Sequence, residues 1–290
     1  MTFNEGANVG SGNVSRRGRN GAIAGGGGII GVIAIFLISS FTGVDLSGFF
    51  GGGGGATGPE EELNCTAEQA NTDDQCRVEG AAASLEVYWS GIAPELGFEY
   101  TPPSKTYVFD GATNTGCGNA TSAVGPFYCP ADSSIYLDTA FYADLRSQFG
   151  ASGGDLAQMY IIAHEWGHHI QHISGITEGK DLQVQGEGLD SVRLELQADC
   201  FAGAWVGAAA DIKDDKGITF LKPVTREEIN DALNAAAAVG DDNIQEKTQG
   251  QVNPEGWTHG SSESRQKWFE AGRAGGPDAC ETFGIPVSAL

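Results

Sequence analysis

Ile161-Ile162-Ala163-His164-Glu165-Trp166-Gly167-His168-His169-Ile170 is the stretch from which the fold and chemistry of this chain are best inferred. Two histidines four residues apart on a helix project from the same face, about one turn apart, so both can bind one metal ion. Zinc accepts neutral imidazole, and hydrolysis requires zinc with three protein ligands and one open position. Glu165 follows the first histidine, where it can take a proton from a metal-activated water. The alternative is a helix with core-facing histidines beside an exposed glutamate.

Helical periodicity extends around this motif. Apolar residues recur at helical spacing before and within it, Asp155 is a plausible N-cap, and Ser174-Gly175 is a stop signal. A second helix is predicted over residues 189–210. Histidines buried between apolar rows would be costly without a partner, and a metal ion removes that cost. We therefore favour the metal site over the alternative.

The second helix supplies the remaining candidates for this site. Glu195 is the predicted third ligand, since two histidines and one glutamate form an established catalytic zinc set. Asp199, one turn further, can accept a hydrogen bond from a ligand histidine and fix its tautomer. The alternative is an exposed acidic face that pairs with Arg193. The apolar residues around both acids favour the site.

Other polar residues have two interpretations each. His259 lies in a polar loop and is a candidate donor to the developing oxyanion, but a surface histidine or one stacked on Trp257 fits the sequence equally well. His172 falls one turn beyond the motif and is a candidate for contact with a ligand, whereas His169 is expected to be structural. Asp241-Asp242 could bind a cation, although turn-forming acids are the simpler interpretation.

The first 60 residues differ in composition from the rest. Residues 1–20 are polar, contain three arginines and are predicted to be a disordered cytoplasmic tail. Residues 21–44 carry no charge and are long enough for one transmembrane helix. A cleaved signal peptide is the alternative, but no convincing cleavage site follows. Residues 45–60 form a glycine-rich linker, and 61–290 form the folded domain, predicted to lie outside the cytoplasm.

Charge and cysteine content limit the possible functions. A formal net charge of −22 argues against nucleic-acid binding, which requires a basic face. The six cysteines show no C-x-x-C spacing, so disulfides in an oxidising compartment are favoured over a cysteine zinc site. Cys117 and Cys129 are predicted to close a loop, with buried thiols as the alternative, and Cys280 is a candidate partner of Cys200.

The remaining patterns indicate the fold class. A helical segment within residues 62–95 precedes strand-like runs at 106–109 and 134–138. A capping box at Thr225 opens another helix, and Ser262 is expected to cap the last one. We expect a mostly helical α+β domain with a small sheet beside two antiparallel site helices. The strand at 134–138 is a candidate for the sheet edge along which an extended peptide lies.

Several motifs together resemble those of the bacterial neutral zinc metallopeptidase family. They are His164-Glu165-Trp166-Gly167-His168-His169-Ile170-Gln171, Leu194-Glu195-Leu196-Gln197-Ala198-Asp199-Cys200, Gly125-Pro126-Phe127-Tyr128-Cys129-Pro130 and His259-Gly260-Ser261-Ser262-Glu263. The resemblance in motifs covers roughly residues 61–276, and the arrangement of an anchor followed by a glycine-rich linker also resembles that of the family. It implies a zincin-type fold with His164, His168 and Glu195 on zinc and Glu165 as base. The paired helical motifs are also similar to those of membrane-associated gluzincin proteases.

The predicted function is that of a zinc-dependent endopeptidase anchored in a bacterial cell membrane by one helix, with a cytoplasmic N-terminus. Its expected partners are a peptide or protein substrate and the membrane. One alternative is zinc-dependent hydrolysis of a non-peptide amide in the cell envelope. Another is an anchored scaffold without catalysis, in which the metal only stabilises the fold.

Overall fold

The computed structural model describes residues 2–10, 12–18, 59–147, 150–182 and 184–290. The predicted transmembrane segment, 21–44, and most of the predicted linker lie outside these residues. Within the described ranges, no helix is both long enough and apolar enough to cross a bilayer.

A mixed five-stranded sheet has the order β2-β1-β3-β7-β6, and a separate hairpin pairs β4 with β5. β3 is parallel to β1 and to β7, whereas β2 and β6 are antiparallel to their neighbours. The strands are β1 (Val14–Arg17), β2 (Glu60–Glu62), β3 (Lys105–Phe109), β4 (Ala112–Thr115), β5 (Gly118–Thr121), β6 (Phe127–Cys129) and β7 (Ser134–Asp138). The two strand predictions are confirmed as β3 and β7.

The predicted edge strand has a different position. β7 lies between β3 and β6, so it is an internal strand and cannot take an added peptide strand. β6 is the strand at that end of the sheet, and Phe127, Tyr128 and Cys129 are each fully buried. Neither strand offers a peptide an exposed edge, and the prediction that 134–138 is an edge is wrong.

The N-terminal residues belong to the folded domain, contrary to the predicted disorder. β1 pairs with both β2 and β3, and Phe3 is fully buried and bridges to Leu221. The sequence of β1 has only one apolar residue, Val14, so no periodicity indicated a strand. The predicted cytoplasmic tail and the predicted external domain therefore share one sheet, through the pairing of β1 with β2 and β3.

Eight α-helices in the described ranges form most of the core. They are α1 (Ala67–Ala70), α2 (Asp74–Ile92), α3 (Ala140–Ser147), α4 (Asp155–Ile173), α5 (Asp190–Ala208), α6 (Arg226–Ala238), α7 (Asp241–Gln249) and α8 (Ser262–Gly275). The expected α+β class, mostly helical with a small sheet, is confirmed. The helix-forming periodicity of 155–173 and 189–210 is likewise reproduced in α4 and α5.

Helix ends agree with the predictions in two cases, of which one is the end of α4 at Ser174, and differ in three. The Thr225 capping box opens α6 as predicted. The N-cap of α4 is Gly154, with Asp155 at the next position, and Ser261 rather than Ser262 caps α8. Asp241 and Asp242, interpreted as turn-forming acids, begin α7.

Two close helix contacts position the candidate site. α4 and α5 run antiparallel, and a Cβ on Gly167 would lie 3.0 Å from the Ala198 Cα. α5 and α8 approach as closely, since a Cβ on Gly203 would lie 1.9 Å from the Phe269 carbonyl oxygen and one on Gly272 1.8 Å from that of Cys200. Glycine at these positions therefore lets three helices pack backbone against backbone.

Disulfides join Cys65 to Cys76, Cys117 to Cys129 and Cys200 to Cys280. The loop closure at 117–129 and the Cys200–Cys280 pair were predicted and are confirmed. The second of these ties α5 to the C-terminal segment, which adds a covalent link beside the close α5–α8 contact.

Candidate metal centre

His164 and His168 lie on one face of α4, with their ring centroids 4.8 Å apart. Their spacing produces this arrangement, because residues four apart stand one above the other on a helix. The exposed fractions are 6% for His164 and none for His168, so both rings lie within the core and not on a solvated surface.

Glu195 on α5 completes a cluster with these two histidines. Its Oε2 is 3.1 Å from His164 Nε2, and its Oε1 is 3.4 Å from His168 Nε2. One ligand atom from each of the three residues lies within 4.8 Å of the others, and the described residues contain no second group of this kind. Burial alone would raise the pKa of Glu195, but the two histidines lower it well below its usual value. The carboxylate is therefore ionised and available as a ligand.

The chemistry of this donor set fits zinc. Two imidazole nitrogens and one carboxylate leave a fourth position for water or substrate, as in catalytic zinc sites. Three such groups facing one point inside a protein need a cation or protons to balance them, because buried unpaired charges are costly. The predicted ligand residues are thus brought together with the composition that zinc requires.

Asp199 orients the first histidine of the cluster. Its Oδ1 lies 2.8 Å from His164 Nδ1, which leaves Nε2 facing Glu195. Burial would lower the pKa of His164, but Asp199 and Glu195 outweigh it and raise the pKa to about 10. In the metal-free protein, this imidazole therefore carries a proton that a metal must displace. This is the contact that the sequence predicted for Asp199.

Two residues that sequence reasoning missed complete the Asp199 contacts. Arg265 on α8 donates to both carboxylate oxygens, from Nε at 2.7 Å and from Nη2 at 2.9 Å. The Tyr160 hydroxyl makes a short hydrogen bond to Asp199 Oδ1. Although burial would raise the pKa of Asp199, Arg265 and His164 lower it. Asp199 is therefore an ionised carboxylate that is paired with two cationic groups, Arg265 and His164.

Gln171 performs the same task for the second histidine and was also missed. Its Oε1 lies 2.9 Å from His168 Nδ1, and its Nε2 donates to the Leu194 carbonyl and to Gln197. Its position three residues after His168, polar within an apolar row, was the available indication. The corresponding indication for Tyr160 was its position four residues before His164, on the same face of the helix.

Glu165 lies beside the cluster and has a free acceptor atom. It is 5% exposed, and its Oε2 has no hydrogen-bond partner among the described residues. Burial raises its pKa, although His164 and His168 act in the opposite direction. A carboxylate with a raised pKa facing an open space is suited to accept and return a proton.

His259 is buried and lines the same cleft as Glu165 and Glu195, so it is not a surface histidine. Its Nδ1 lies 3.2 Å from Asp241 Oδ1 and 2.8 Å from Thr258 Oγ1. Burial would lower the pKa of His259, but Asp241 raises it.

Asp241 is the first residue of α7 and holds the His259 loop in place. Its Oδ2 accepts backbone N–H groups from Thr258 at 2.7 Å, His259 at 2.6 Å and Gly260 at 3.0 Å. The interpretation of Asp241 as only a turn-forming acid missed this role. The sequence feature that could have indicated this role is the position of Asp241 at the start of a helix.

The other two histidines of α4 point away from the cluster. His169 Nε2 bonds to the Thr101 carbonyl at 2.7 Å, and both His169 and His172 contact the Tyr128 hydroxyl through Nδ1. Burial lowers the pKa of His169 to about 4, so the ring is neutral and structural. The suggested contact between His172 and a ligand does not occur.

Sequence comparison places the chain among known proteins. The profile of the family described as "Putative neutral zinc metallopeptidase" matches residues 4–283.

The chain belongs to this family.

Its relatives include an uncharacterized protein, Mb2605, from Mycobacterium bovis, 47% identical over 220 residues that make up 75% of this chain and 73% of the relative. The uncharacterized protein YpfJ from Escherichia coli K12 is 38% identical over 272 residues, 91% of this chain and 89% of the relative. No solved structure matches the chain.

A cleft opens over the ligand cluster of this metallopeptidase-family domain. Glu165, Glu195 and His259 contribute to one part of its lining, together with His164 and Arg265. The rest of the lining is mostly apolar and comes from α3, α4 and α7, the residue after α6 and the residue before β6. The cleft thus provides the ligand cluster and Glu165 with access to a substrate.

Proposed function

We propose that this chain is a zinc-dependent endopeptidase. The observation that carries the proposal is the convergence of His164, His168 and Glu195 beside a buried carboxylate, Glu165, that faces an open cleft. A metal that only stabilised the fold would need neither an open cleft nor a base. The family assignment supports the same reaction class.

Each residue has a separate task in the proposed reaction. His164, His168 and Glu195 would hold zinc, which when bound polarises a carbonyl and lowers the pKa of a water molecule. Glu165 takes a proton from the attacking water while the oxygen of that water forms a bond to the carbonyl carbon. The same carboxyl then delivers the proton to the nitrogen as the carbon–nitrogen bond breaks.

His259 is the proposed donor to the oxyanion that develops on the carbonyl oxygen. Asp241 accepts the hydrogen bond from His259 Nδ1, so Nε2 is the ring nitrogen that remains available to a group in the cleft. A neutral imidazole whose single proton is on Nδ1 has only a lone pair at Nε2. Donation from Nε2 therefore requires the protonated imidazole. The raised pKa of His259 favours that form.

The proposed location is the outside of a bacterial cell membrane. Three disulfides use all six cysteines, and such bonds persist in oxidising compartments. Anchoring by residues 21–44 remains part of the proposal. Because residues 2–18 share the sheet of the domain, accessibility of the N-terminus in intact cells would test the single-pass arrangement.

Metal analysis combined with peptide-library cleavage tests the function. The purified protein is expected to bind one zinc ion per chain and to cleave peptides until a chelator is added. Glu165→Gln should retain zinc and fold but lose about 10²- to 10⁴-fold in rate. Glu178→Gln removes the same charge at an exposed position after α4 and should behave like the wild type. Stoichiometric zinc without peptide cleavage would reject the endopeptidase and leave the scaffold or the non-peptide amidase.

A further inference from the structure

One wall of the cleft, here called the apolar wall, is built from apolar side chains. Pro126 precedes β6, Phe141 lies on α3, Ile161 on α4, and Val239 and Ile244 lie at the junction of α6 and α7. Phe141 and Ile161 are almost completely buried, whereas Val239 and Ile244 are partly exposed to the cleft.

Arg265, the arginine in the cleft lining, is already engaged by other groups, so it offers little to an acidic side chain. Arg265 directs Nε and Nη2 at Asp199 and donates from Nη1 to the Val239 carbonyl at 3.2 Å. An acidic side chain packed against the apolar wall would therefore meet no free cation. Glu165 and Glu195 would also repel it.

The apolar wall adjoins the group that is proposed to act on the scissile bond. Ile161 is four residues before Glu165, so both side chains lie on the same face of α4. Ile244 belongs to α7, the helix whose first residue, Asp241, holds the His259 loop. The apolar wall is therefore attached to the same two elements as Glu165 and His259.

We propose that the cleft binds a large aliphatic or aromatic side chain of the substrate, such as leucine or phenylalanine, directly beside the scissile bond. This inference rests on the proposed peptidase function and adds its specificity. An apolar side chain removes water from the apolar wall on binding, whereas a charged one loses hydration against a wall that offers no opposite charge. Peptides with leucine or phenylalanine at this position should have a kcat/KM about 10- to 100-fold above those with aspartate or lysine.

The test uses the zinc-loaded protein and peptides that differ at one position on either side of the cleaved bond. Ile244→Glu places a carboxylate in the apolar wall. It should lower kcat/KM for the leucine peptide about tenfold or more and raise that for the lysine peptide. Val252→Glu adds the same charge shortly after α7, at a residue that is 45% exposed, and should leave the ratio of the two unchanged.

The outcomes separate this inference from the proposed function. A zinc-loaded wild type that cleaves none of the peptides would overturn the peptidase assignment. A wild type that cleaves them without preference, or a folded Ile244→Glu variant with the wild-type preference, would overturn the apolar specificity alone. If Ile244→Glu fails to fold, Val239→Thr adds a hydroxyl at nearly constant volume and should still reduce the preference for leucine several-fold, and an unchanged ratio would again reject the inference.

Discussion

Arg265 and Asp199, from helices α8 and α5, share two hydrogen bonds of 2.7 and 2.9 Å deep in the protein. Neither side chain has appreciable contact with solvent, since their side-chain exposures are 3% and 0%. Asp199 also accepts the Nδ1 proton of His164. The orientation of His164, a proposed zinc ligand, thus depends on Arg265 from a third helix. Asp199, which connects the two, does not itself line the cleft.

Asp199→Asn is expected to weaken zinc binding without removing a ligand. The amide accepts less strongly than the carboxylate and leaves Arg265 with a neutral partner, so His164 is held less firmly. Zinc affinity should fall about 10- to 100-fold, as measured by competition with a chelator of known affinity. Asp190→Asn makes the same change at the start of α5 and is the control. Wild-type zinc affinity in Asp199→Asn would contradict the orienting role.

Asp241→Asn tests the support of His259. The variant should lower kcat about tenfold or more while KM and zinc content change little, because orientation of the oxyanion donor is lost. Asp241 raises the pKa of His259, so its removal lowers that pKa and the protonated donor disappears at lower pH. The alkaline limb of the pH–rate profile should therefore shift to lower pH. Asp242→Asn, the adjacent change, is expected to leave that limb in place.

The ligand set was predictable because its information is local. The spacing of His164 and His168 determines their common face, and Glu195 was identified by residue type and by its apolar neighbours. The α4 and α5 helices followed from periodicity over nineteen residues each. Arg265 was not predictable in this way, since its meeting with Asp199 depends on how α8 crosses α5.

β1 is a second feature that could not be predicted from local sequence. Its four residues, Val14-Ser15-Arg16-Arg17, are a strand because β2 and β3 pair with them, and Arg17 stacks over the Tyr107 ring at 3.4 Å. Tertiary pairing therefore decides a conformation that composition alone assigned to disorder. The edge position of β6 was likewise set by pairing and not by its own sequence.

Gly167→Ala should separate α4 from α5. The added Cβ would lie 3.0 Å from the Ala198 Cα and 3.1 Å from its carbonyl oxygen, both backbone atoms that cannot turn aside. A loss of about 1–3 kcal/mol in the free energy of unfolding is expected, with weaker zinc binding because Glu195 moves with α5. Gly91→Ala, where no atom lies within 4 Å, should not destabilise the protein. Equal stability of the two variants would contradict the close contact.

Phe3→Ala tests whether the N-terminal residues are part of the domain. The Phe3 ring is fully buried against Gly80, where a Cβ would lie 2.6 Å from it. Removing it should cost about 3–5 kcal/mol in the free energy of unfolding, measured by denaturant titration. Glu5→Ala, at an exposed position, should have little effect. A disordered tail would instead leave the stability of both variants unchanged.

Glu79→Gln should stabilise the protein at alkaline pH. Glu79 is fully buried, its Oε2 accepts the Cys65 N–H at 2.8 Å, and burial raises its pKa from 4.5 to about 7. Between these values the folded state binds more protons than the unfolded state, so the contribution of this group to stability falls as the pH rises. Glutamine keeps the acceptor without the charge and should add about 1–3 kcal/mol at pH ~8, with a smaller gain at pH ~5. Thermal unfolding at both pH values measures this, with Glu95→Gln at an exposed position as control. A variant less stable than the wild type at the higher pH would show that the buried carboxylate is not a source of strain.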